Sequence, residues 1–275
     1  MKRCLVNGSE QSNLAASDRG LHYGDGLFET IAVIDGRPRH WQQHMQRLAQ
    51  GCECLNITMP DVEQLFDDVA RVTITLPLAV VKIIITRGSC GRGYTYDAGS
   101  MDATRIVASY EWPEYPENHY RQGVHLRICD TSISCQPALA GIKHLNRIEN
   151  VLARNEWQDE SFAEGLMLDS NGNVIEGTMS NLFWVEDGQL FTPALEHCGV
   201  HGIMRSRVIE TAEKLGITHS QEDVGVDRLH KADELFVCNS VIGIWPAVLD
   251  GEPSRGVMTE KIMRQLADEN DILFI

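Results

Sequence analysis

Hairpin turn signals recur in the second half of the chain, and they limit the sheets that it can form. Ser170-Asn171-Gly172-Asn173 and Asp187-Gly188 each separate two short segments rich in β-branched, aromatic and other apolar residues. Asn-Gly and Asp-Gly dipeptides favour the tight turns that connect neighbouring antiparallel strands. Helical patterns are also present, but they do not alternate strictly with the strands. The order predicts an α+β fold and argues against a doubly wound parallel sheet.

A segment with two prolines, Trp112–His119, is the candidate boundary between domains. The residues before it combine helical patterns with two strands, whereas the residues after it are dominated by hairpins. We therefore predict a small N-terminal α/β domain at residues 1–112, an interdomain linker at 113–121 and a larger β-rich domain at 122–275.

The chain of 275 residues is acidic, since 24 lysines and arginines stand against 39 aspartates and glutamates, a formal charge of −15. Long-range repulsion disfavours nucleic-acid backbones and anionic membranes as partners. The most apolar run, Leu76–Thr86, is interrupted by Pro77 and Lys82 and is too short to cross a bilayer. Residues 1–8 lack the apolar core of a signal peptide. We expect a cytoplasmic protein without nucleic-acid or membrane partners.

The eight cysteines contain no Cys-x-x-Cys motif. Cys52 and Cys54 lie close together, but neither a second cysteine pair nor a His-x-x-x-His sequence is nearby to complete a zinc site. Scattered cysteines in a cytoplasmic chain of this size are typical of reduced thiols. We expect no metal site.

The glycine-rich segment Arg87–Tyr94 follows a strand-like run and contains the two arginines Arg87 and Arg92. It lacks the Gly-x-x-x-x-Gly-Lys-Ser/Thr order of a P-loop. Arginines between glycines are suited to binding a carboxylate or a phosphate, although such a segment can also be an ordinary loop after a strand. A nucleotide-binding or phosphotransfer protein that uses this segment is therefore one function that the sequence leaves open.

Two charged residues lie among apolar neighbours. Lys143 lies within residues 140–147, just before a helix predicted at 144–157. A lysine in such a setting is either a surface charge or an amine nucleophile that loses its proton. Glu176 ends a short apolar strand, where a carboxylate needs a cationic or hydrogen-bonding partner. A protonated pyridinium nitrogen would be such a partner.

Gly202-Ile203-Met204 opens an amphipathic helix predicted at 202–215. The first backbone N–H groups of a helix have no intrahelical acceptor, so they can bind a phosphate. Taken alone, the segment is more simply a plain helix N-terminus.

Together these segments resemble the fold-type IV pyridoxal-phosphate enzymes, the family of class IV aminotransferases. The matching segments occur in the family's order and span nearly the whole chain. They are Ser17–Thr30, His44–Leu48, Lys143–Arg147, Glu176–Thr178 with Asn181–Phe183, and Gly199–Arg205. The resemblance implies a two-domain fold like that of D-amino acid aminotransferase, pyridoxal 5'-phosphate (PLP) as cofactor, and a homodimer.

The resemblance also implies roles for individual residues. Lys143 would hold PLP as a Schiff base and act as the general base, and Glu176 would keep the pyridine nitrogen protonated. The groups that would hold the phosphate are Arg47, the backbone N–H groups of Ile203 and Met204, and the side chain of Asn239. For Asn239 a plain turn residue at the end of a strand is the alternative.

Within the family, residues 87–94 and 140–147 look most like the bacterial aminodeoxychorismate lyases, which make 4-aminobenzoate for folate. The implied reaction is a PLP-dependent elimination that converts 4-amino-4-deoxychorismate to 4-aminobenzoate and pyruvate. The substrate is a dicarboxylate, which explains arginines in the loop, so we expect Arg92 to bind it, with a weaker contact from Tyr94. A D-amino acid or branched-chain aminotransferase of the same fold is the alternative.

Thr30 is the residue expected to separate the lyases from their aminotransferase relatives. It follows Phe28-Glu29, where the branched-chain enzymes carry Gly. Its hydroxyl is expected to assist proton transfer to the departing enolpyruvyl group. A β-branched residue also suits a strand, which is the structural explanation of the same residue.

Overall fold

The computed structural model describes residues 1–10, 13–96, 102–158, 161–253 and 255–272. Their contacts divide the chain into two units. The first unit comprises Met1–Pro113 and Ile142–Asn146, and the second comprises Glu114–Gly141 and Arg147–Ile275.

The first unit is built on a five-stranded antiparallel sheet, ordered β1-β5-β4-β2-β3. Its elements are β1 (Arg3–Val6), α1 (Arg19–Tyr23), β2 (Gly26–Ile34), β3 (Arg37–Pro38), α2 (Trp41–Leu55), α3 (Val62–Thr73), β4 (Leu78–Thr86) and β5 (Thr104–Glu111).

Helices α2 and α3 pack against this sheet and bury alternate residues of its central strands. Ile31 of β2 and Ile83 of β4 are fully buried, and Leu48 of α2 and Leu65 of α3 are equally inaccessible. The period of two follows from the pleat, because successive side chains of a strand point to opposite faces. The intervening residues of β2 and β4 therefore lie on the other face of the sheet.

The second unit contains an eight-stranded mixed sheet, ordered β11-β10-β9-β12-β13-β6-β7-β8. Its elements are α4 (Asn118–Arg121), β6 (Val124–Ile128), a 3-10 turn (Pro137–Leu139), α5 (Ile148–Arg154), β7 (Phe162–Leu168), β8 (Val174–Gly177), β9 (Asn181–Glu186), β10 (Gln189–Thr192), α6 (Ile203–Lys214), β11 (His219–Gln221), α7 (Val226–Leu229), β12 (Glu234–Asn239), β13 (Gly243–Val248) and α8 (Val257–Asp268).

Hydrophobic clusters cover both faces of this sheet. Phe183 and Phe236 stack at 5.0 Å in the cluster that includes buried residues of α6 and α8. Trp184, the next residue of β9, belongs to a second cluster with Trp245. Because neighbouring strand residues point to opposite faces, the sheet is buried on both sides, and β9 shows an almost continuous run of buried residues.

The two predicted hairpins are present, which confirms the α+β prediction. β7 and β8 pair antiparallel across 170–173, and β9 and β10 pair antiparallel across Asp187-Gly188. Asp187 and Gly188 have φ values of 49° and 74°, the left-handed backbone that a two-residue hairpin turn requires.

The helix predicted at 144–157 is shorter than expected and begins at Ile148. Residues 142–146 belong to the first unit, where the carbonyl of Lys143 accepts the N–H of Phe28 at 2.9 Å. Leu145 N–H donates to the carbonyl of Gly26 at 2.9 Å. The backbone of this segment therefore pairs with β2 and cannot also form a helical turn.

The predicted linker at 113–121 requires a correction, because from Glu114 onward it is part of the second unit. The rings of Tyr115, His119 and Tyr120 surround Trp245 with edge-on contacts of 4.9, 4.8 and 6.2 Å between ring centroids. This packing joins the segment to the hydrophobic cluster of the second unit despite its prolines. Among the described helices, none is long and apolar enough to span a bilayer.

Candidate active site

The amine of Lys143 lies in an aromatic setting within the first unit. Its Nζ is 4.5 Å from the centre of the Phe28 ring, and Nζ of Lys82 is 4.8 Å from the same ring. Thr30 is two residues after Phe28 on β2 and stands opposite Lys82 of β4 in the antiparallel register. Residues so related share one face of a sheet. Two amines, an aromatic ring and a hydroxyl-bearing residue are thus grouped on the face opposite α2 and α3.

The other face of β2 carries a buried ion pair that sequence reasoning missed. Glu29 is 1% exposed, and its carboxylate accepts hydrogen bonds from Nε and Nη2 of Arg47 and from Nδ1 of His44. Burial alone would raise the pKa of Glu29, but the Arg47 charge and the His44 hydrogen bond outweigh it and hold the pKa at about 2. Arg47, the predicted phosphate ligand, is therefore fixed in direction by Glu29.

His44 forms the third member of this group. Burial lowers its pKa, and the charges of Arg47 and Lys143 act in the same direction, against the opposing influence of Glu29. Its Nε2 atom is buried and has no hydrogen-bond partner among the described residues. The sequence spacing could have indicated that His44 and Arg47 are neighbours, because residues three apart lie on one helix face.

Glu176 lies at the end of β8 in the second unit and is 4% exposed. Its Oε2 accepts the backbone N–H of Val200 at 2.8 Å and the amide of Asn181 at 3.4 Å. The same Asn181 amide donates to the carbonyl of Val200 at 3.0 Å. The partners of this buried carboxylate therefore include neutral donors that fix its direction.

A second buried carboxylate, Glu164, holds the turn that follows Glu176. It is 0% exposed and accepts hydrogen bonds from the N–H groups of Gly165, Thr178 and Met179 and from the hydroxyls of Thr178 and Ser180. These donors satisfy both oxygens of the buried carboxylate. Sequence reasoning missed Glu164. Its place inside an apolar strand could have indicated a buried carboxylate that needs hydrogen-bonding partners.

Helix α6 begins at Ile203, immediately after Gly202. Gly202 has no side chain to cap the first turn, and a Cβ built on it would lie 1.9 Å from Oδ1 of Asn181. Glycine is therefore required by the close approach of Asn181. The first N–H groups of this 12-residue helix, those of Ile203 and Met204, have the character of an anion site.

Asn239 ends β12, and its side chain bonds to the backbone on both sides. Its Oδ1 accepts the N–H groups of Val241 and Ile242 at 2.8 and 2.9 Å, and its Nδ2 donates to the carbonyl of Met179 at 3.1 Å. These are the bonds of a turn residue at a strand end. A contact of Asn239 with phosphate remains a prediction.

Arg87, the first arginine of the glycine-rich segment, makes structural contacts. Its guanidinium donates to both oxygens of Asp25 at 2.8 and 2.9 Å and to the carbonyls of Leu55 and Asn56. It also lies 3.6 Å from the centre of the Tyr96 ring. Because these contacts occupy the guanidinium, Arg87 itself is not available to a nucleotide phosphate.

Arg19 fixes the same glycine-rich segment from α1. It donates to Asp25 at 2.8 Å and to the carbonyls of Gly93 and Tyr94 at 2.8 and 3.3 Å. Burial would raise the pKa of Asp25, but the guanidinium groups of Arg87 and Arg19 outweigh it and hold that pKa below its usual range. The side chains of Arg92 and Tyr94, which lie in the same glycine-rich segment, are exposed.

The predicted residues thus fall into two groups. Lys143, Thr30, Arg47, Arg92 and Tyr94 belong to the first unit. Glu176, Ile203, Met204 and Asn239 belong to the second. Within the first group the structure brings the Lys143 amine and Thr30 to one sheet face, and within the second it brings the Glu176 carboxylate to the loop that leads into α6.

Comparison with known proteins finds one matching family model. The model described as amino-transferase class IV matches residues 26–249. The chain is 39% identical over 241 residues to an aminodeoxychorismate lyase from Vibrio harveyi, covering 88% of this chain and 89% of that protein.

Two solved structures have the same fold. A 4-amino-4-deoxychorismate lyase from Pseudomonas aeruginosa superposes with a TM-score of 0.92 at 45% identity, covering 98% of this chain and 100% of that one. A branched-chain amino acid aminotransferase from Escherichia coli superposes with a TM-score of 0.85 at 27% identity, covering 98% of this chain and 94% of that one.

Proposed function

The chain belongs to the class IV aminotransferase family, and we propose that it is a PLP-dependent 4-amino-4-deoxychorismate lyase that forms 4-aminobenzoate and pyruvate. The observation that carries the proposal is the presence of Thr30 on the sheet face that holds the Lys143 amine. The similarity to lyases from Vibrio harveyi and Pseudomonas aeruginosa, at 39% and 45% identity, supports the same assignment.

The chemistry of the available groups fits PLP. Lys143 offers an amine for the aldehyde, and Glu176 offers a buried negative charge for a protonated ring nitrogen. Arg47 and the N–H groups at the start of α6 are suited to the phosphate. PLP bound by these residues supplies an electron sink for a carbanion formed on the substrate.

The residues of the chain supply the proton transfers. The amine of Lys143 takes the proton from the ring carbon that bears the substrate amine. The neighbouring ether bond then breaks, pyruvate leaves, and the ring becomes aromatic. Thr30 acts by a hydrogen bond, directly or through a water, on the proton that the departing enolpyruvyl group receives. Glu176 keeps the pyridine nitrogen protonated throughout.

Substrate recognition depends on carboxylates, because 4-amino-4-deoxychorismate carries two of them. Arg92 is the arginine of the glycine-rich segment whose side chain is exposed, whereas Arg87 is held by Asp25. We assign the carboxylate contact to Arg92 and a weaker one to Tyr94, which is 85% exposed. A guanidinium matches a carboxylate in both charge and geometry.

The competing activity is that of a D-amino acid or branched-chain aminotransferase. It is tested by mixing the PLP-loaded protein with D-alanine or with leucine and no other substrate. An aminotransferase releases one equivalent of the 2-oxo acid per site in this experiment, whereas the proposed lyase releases none or a trace. Stoichiometric release of a 2-oxo acid would favour the aminotransferase.

We further propose a homodimer that works in the cytoplasm on the route to folate. Three apolar side chains of α5 support self-association, since Ile148, Val151 and Leu152 are 67%, 53% and 56% exposed. None of the eight cysteines forms a disulfide, which suits a reducing compartment. Light scattering coupled to gel filtration tests the dimer, and a monomeric mass would contradict it.

A further inference from the structure

Two thiols of the second unit touch outside the residues assigned to the reaction. Sγ of Cys135 lies 3.6 Å from Sγ of Cys198. Cys135 is exposed, whereas Cys198 is 5% exposed. The Cys135 thiol also donates weakly to Oδ2 of Asp169 at 4.0 Å. One thiol of the pair is therefore open to a small oxidant, and the other is positioned directly behind it.

The backbone on the Cys135 side is fixed by its neighbours. Ile133 N–H donates to the carbonyl of Leu168 at 2.8 Å, and Ser134 N–H donates to Oε2 of Glu149 at 3.1 Å. These bonds join the segment before Cys135 to β7 and to α5. The sulfur therefore has little freedom to move away from its partner.

The backbone on the Cys198 side is fixed as well. The carbonyl of Gly199 accepts the N–H of Gly141 at 3.0 Å, and Val200 N–H donates to Glu176 at 2.8 Å. Two sulfurs held in contact by anchored segments react with each other more readily than with a thiol of another molecule. The geometry favours an internal disulfide.

We propose that Cys135 and Cys198 form a modification site at which hydrogen peroxide produces a reversible disulfide. The Cys135 sulfur attacks one peroxide oxygen, the O–O bond breaks, and the leaving hydroxide takes the thiol proton, which gives a sulfenic acid and water. The Cys198 sulfur then attacks the Cys135 sulfur, the S–O bond breaks, and a second water leaves with the Cys198 proton. Two thiols lose two electrons, and the peroxide is reduced to two waters.

The order of attack follows from exposure. Cys135 meets the oxidant first because its side chain is at the surface. Burial raises the pKa of the Cys198 thiol, and the contact with Cys135 and the charges of Asp169 and Glu176 raise it further. Cys198 is therefore the slower nucleophile and acts only in the second step.

The disulfide reaches the proposed active site through Glu176. An S–S bond is about 2.0 Å long, so closing the 3.6 Å gap moves the sulfurs together by about 1.6 Å. Cys198 is two residues before Val200, whose N–H binds Glu176. Because Val200 N–H is one of the bonds that anchor this segment, the pull of the shorter S–S contact acts on that bond, weakens it and misdirects the carboxylate. This part of the inference rests on the proposed function. On oxidation we expect lyase activity to fall at least twofold, and dithiothreitol should restore it.

The test compares PLP-loaded wild type, C135S, C198S and C54S after treatment with hydrogen peroxide, blocking of free thiols and mass spectrometry. C54S is the matched control because Cys54 is also exposed. Wild type and C54S should lose two hydrogen atoms and yield a peptide that joins Cys135 to Cys198, and dithiothreitol should remove it. C135S and C198S should give no such peptide and should resist the reversible loss of activity.

Oxygen addition at Cys135 without a cross-link in wild type would overturn the modification site, as would a cross-link to another cysteine. A Cys135–Cys198 cross-link in fully active enzyme would overturn the coupling to Glu176. The mass readout does not depend on the reaction catalysed. Failure of the disulfide is therefore distinguishable from failure of the proposed function.

Discussion

Glu176 accepts the backbone N–H of Val200 at 2.8 Å, and this bond ties the end of β8 to the segment that leads into α6. Asn181 adds a weaker contact to the same oxygen at 3.4 Å. These hydrogen bonds fix the direction of the buried carboxylate. The relationship makes Glu176 suitable for stabilising a protonated ring nitrogen.

Replacing Glu176 with Gln should preserve the contacts with Val200 and Asn181 but remove the charge. The ring nitrogen would then hold its proton less tightly, at about 1.4 kcal/mol for each unit of its pKa. We expect turnover to fall at least tenfold while PLP remains bound, as measured by steady-state rates and visible absorbance. Wild-type turnover in Glu176→Gln would show that the carboxylate is only structural.

Reduction of the PLP-loaded protein with borohydride should attach the cofactor to Lys143. Lys82 is the lysine most easily confused with Lys143, because its amine lies 4.8 Å from the same Phe28 ring. Its replacement is therefore the control. Peptide mass spectrometry should find the adduct on Lys143 in wild type and in Lys82→Ala, and none in Lys143→Ala. An adduct on Lys82 in the wild-type protein would refute the assignment of Lys143.

Thr30→Val keeps the shape of the side chain and deletes its hydroxyl. Proton transfer assisted by a positioned group is worth about 10²–10⁴-fold in rate, so we expect a loss in that range for 4-aminobenzoate formation, with PLP binding and spectrum intact. Thr30→Ser restores a hydroxyl and should recover much of the rate. If Thr30→Val releases pyruvate at nearly the wild-type rate, Thr30 is simply a strand residue.

Glu29→Gln should destabilise the first unit and change how its free energy of unfolding depends on pH. The pKa of Glu29 is held at about 2 against an ordinary value of 4.5, so its ionised form stabilises the fold above about 4.5 and this contribution is lost as the pH falls through about 2. Removing one partner of a buried pair typically costs about 3–5 kcal/mol. We expect a loss of that order in the free energy of unfolding at neutral pH, measured with urea.

The difference between Glu29→Gln and wild type should then shrink as the pH falls below about 4.5. Glu111→Gln serves as the control, since Glu111 pairs with Lys2 at the exposed surface and should change stability little. A difference that is constant from neutral to acid pH would contradict the ionic role of Glu29.

Arg92→Ala and Arg87→Ala should separate substrate binding from stability. Arg92 is exposed, so its loss should raise KM for aminodeoxychorismate about tenfold or more, as expected for a charge-assisted hydrogen bond, and leave the melting temperature nearly unchanged. Arg87 holds Asp25 and two backbone carbonyls, so its loss should lower the melting temperature. An unchanged KM in Arg92→Ala would remove this residue from the substrate site.

The hairpins and the mixed order of elements could be predicted from the sequence because turn residues and strand periodicity act locally. The helix predicted at 144–157 failed at its start because residues 143 and 145 bond to β2, a long-range pairing that helical spacing does not reveal. Proline likewise indicated a linker, whereas the packing of Tyr115, His119 and Tyr120 on Trp245 places that segment in the second unit.

The chemistry of the candidate site was predicted through family resemblance, residue by residue. The partners that orient those residues were not, because Glu29, His44 and Glu164 act through contacts with distant parts of the chain. Arg87 and Arg92 lie in one loop, and the family resemblance favoured Arg92 as the substrate contact. The structural contacts of Arg87 with Asp25 and Tyr96 could not be predicted, because their residues are distant or unpatterned in the sequence.

The central claim is that this chain eliminates pyruvate from 4-amino-4-deoxychorismate. The direct measurement supplies that compound to the PLP-loaded protein and quantifies 4-aminobenzoate and pyruvate together, with Lys143→Ala as the control. The account predicts equal amounts of the two products at many turnovers in wild type and none above background in Lys143→Ala. Absence of both products in wild type, or their formation at the same rate by Lys143→Ala, would contradict it.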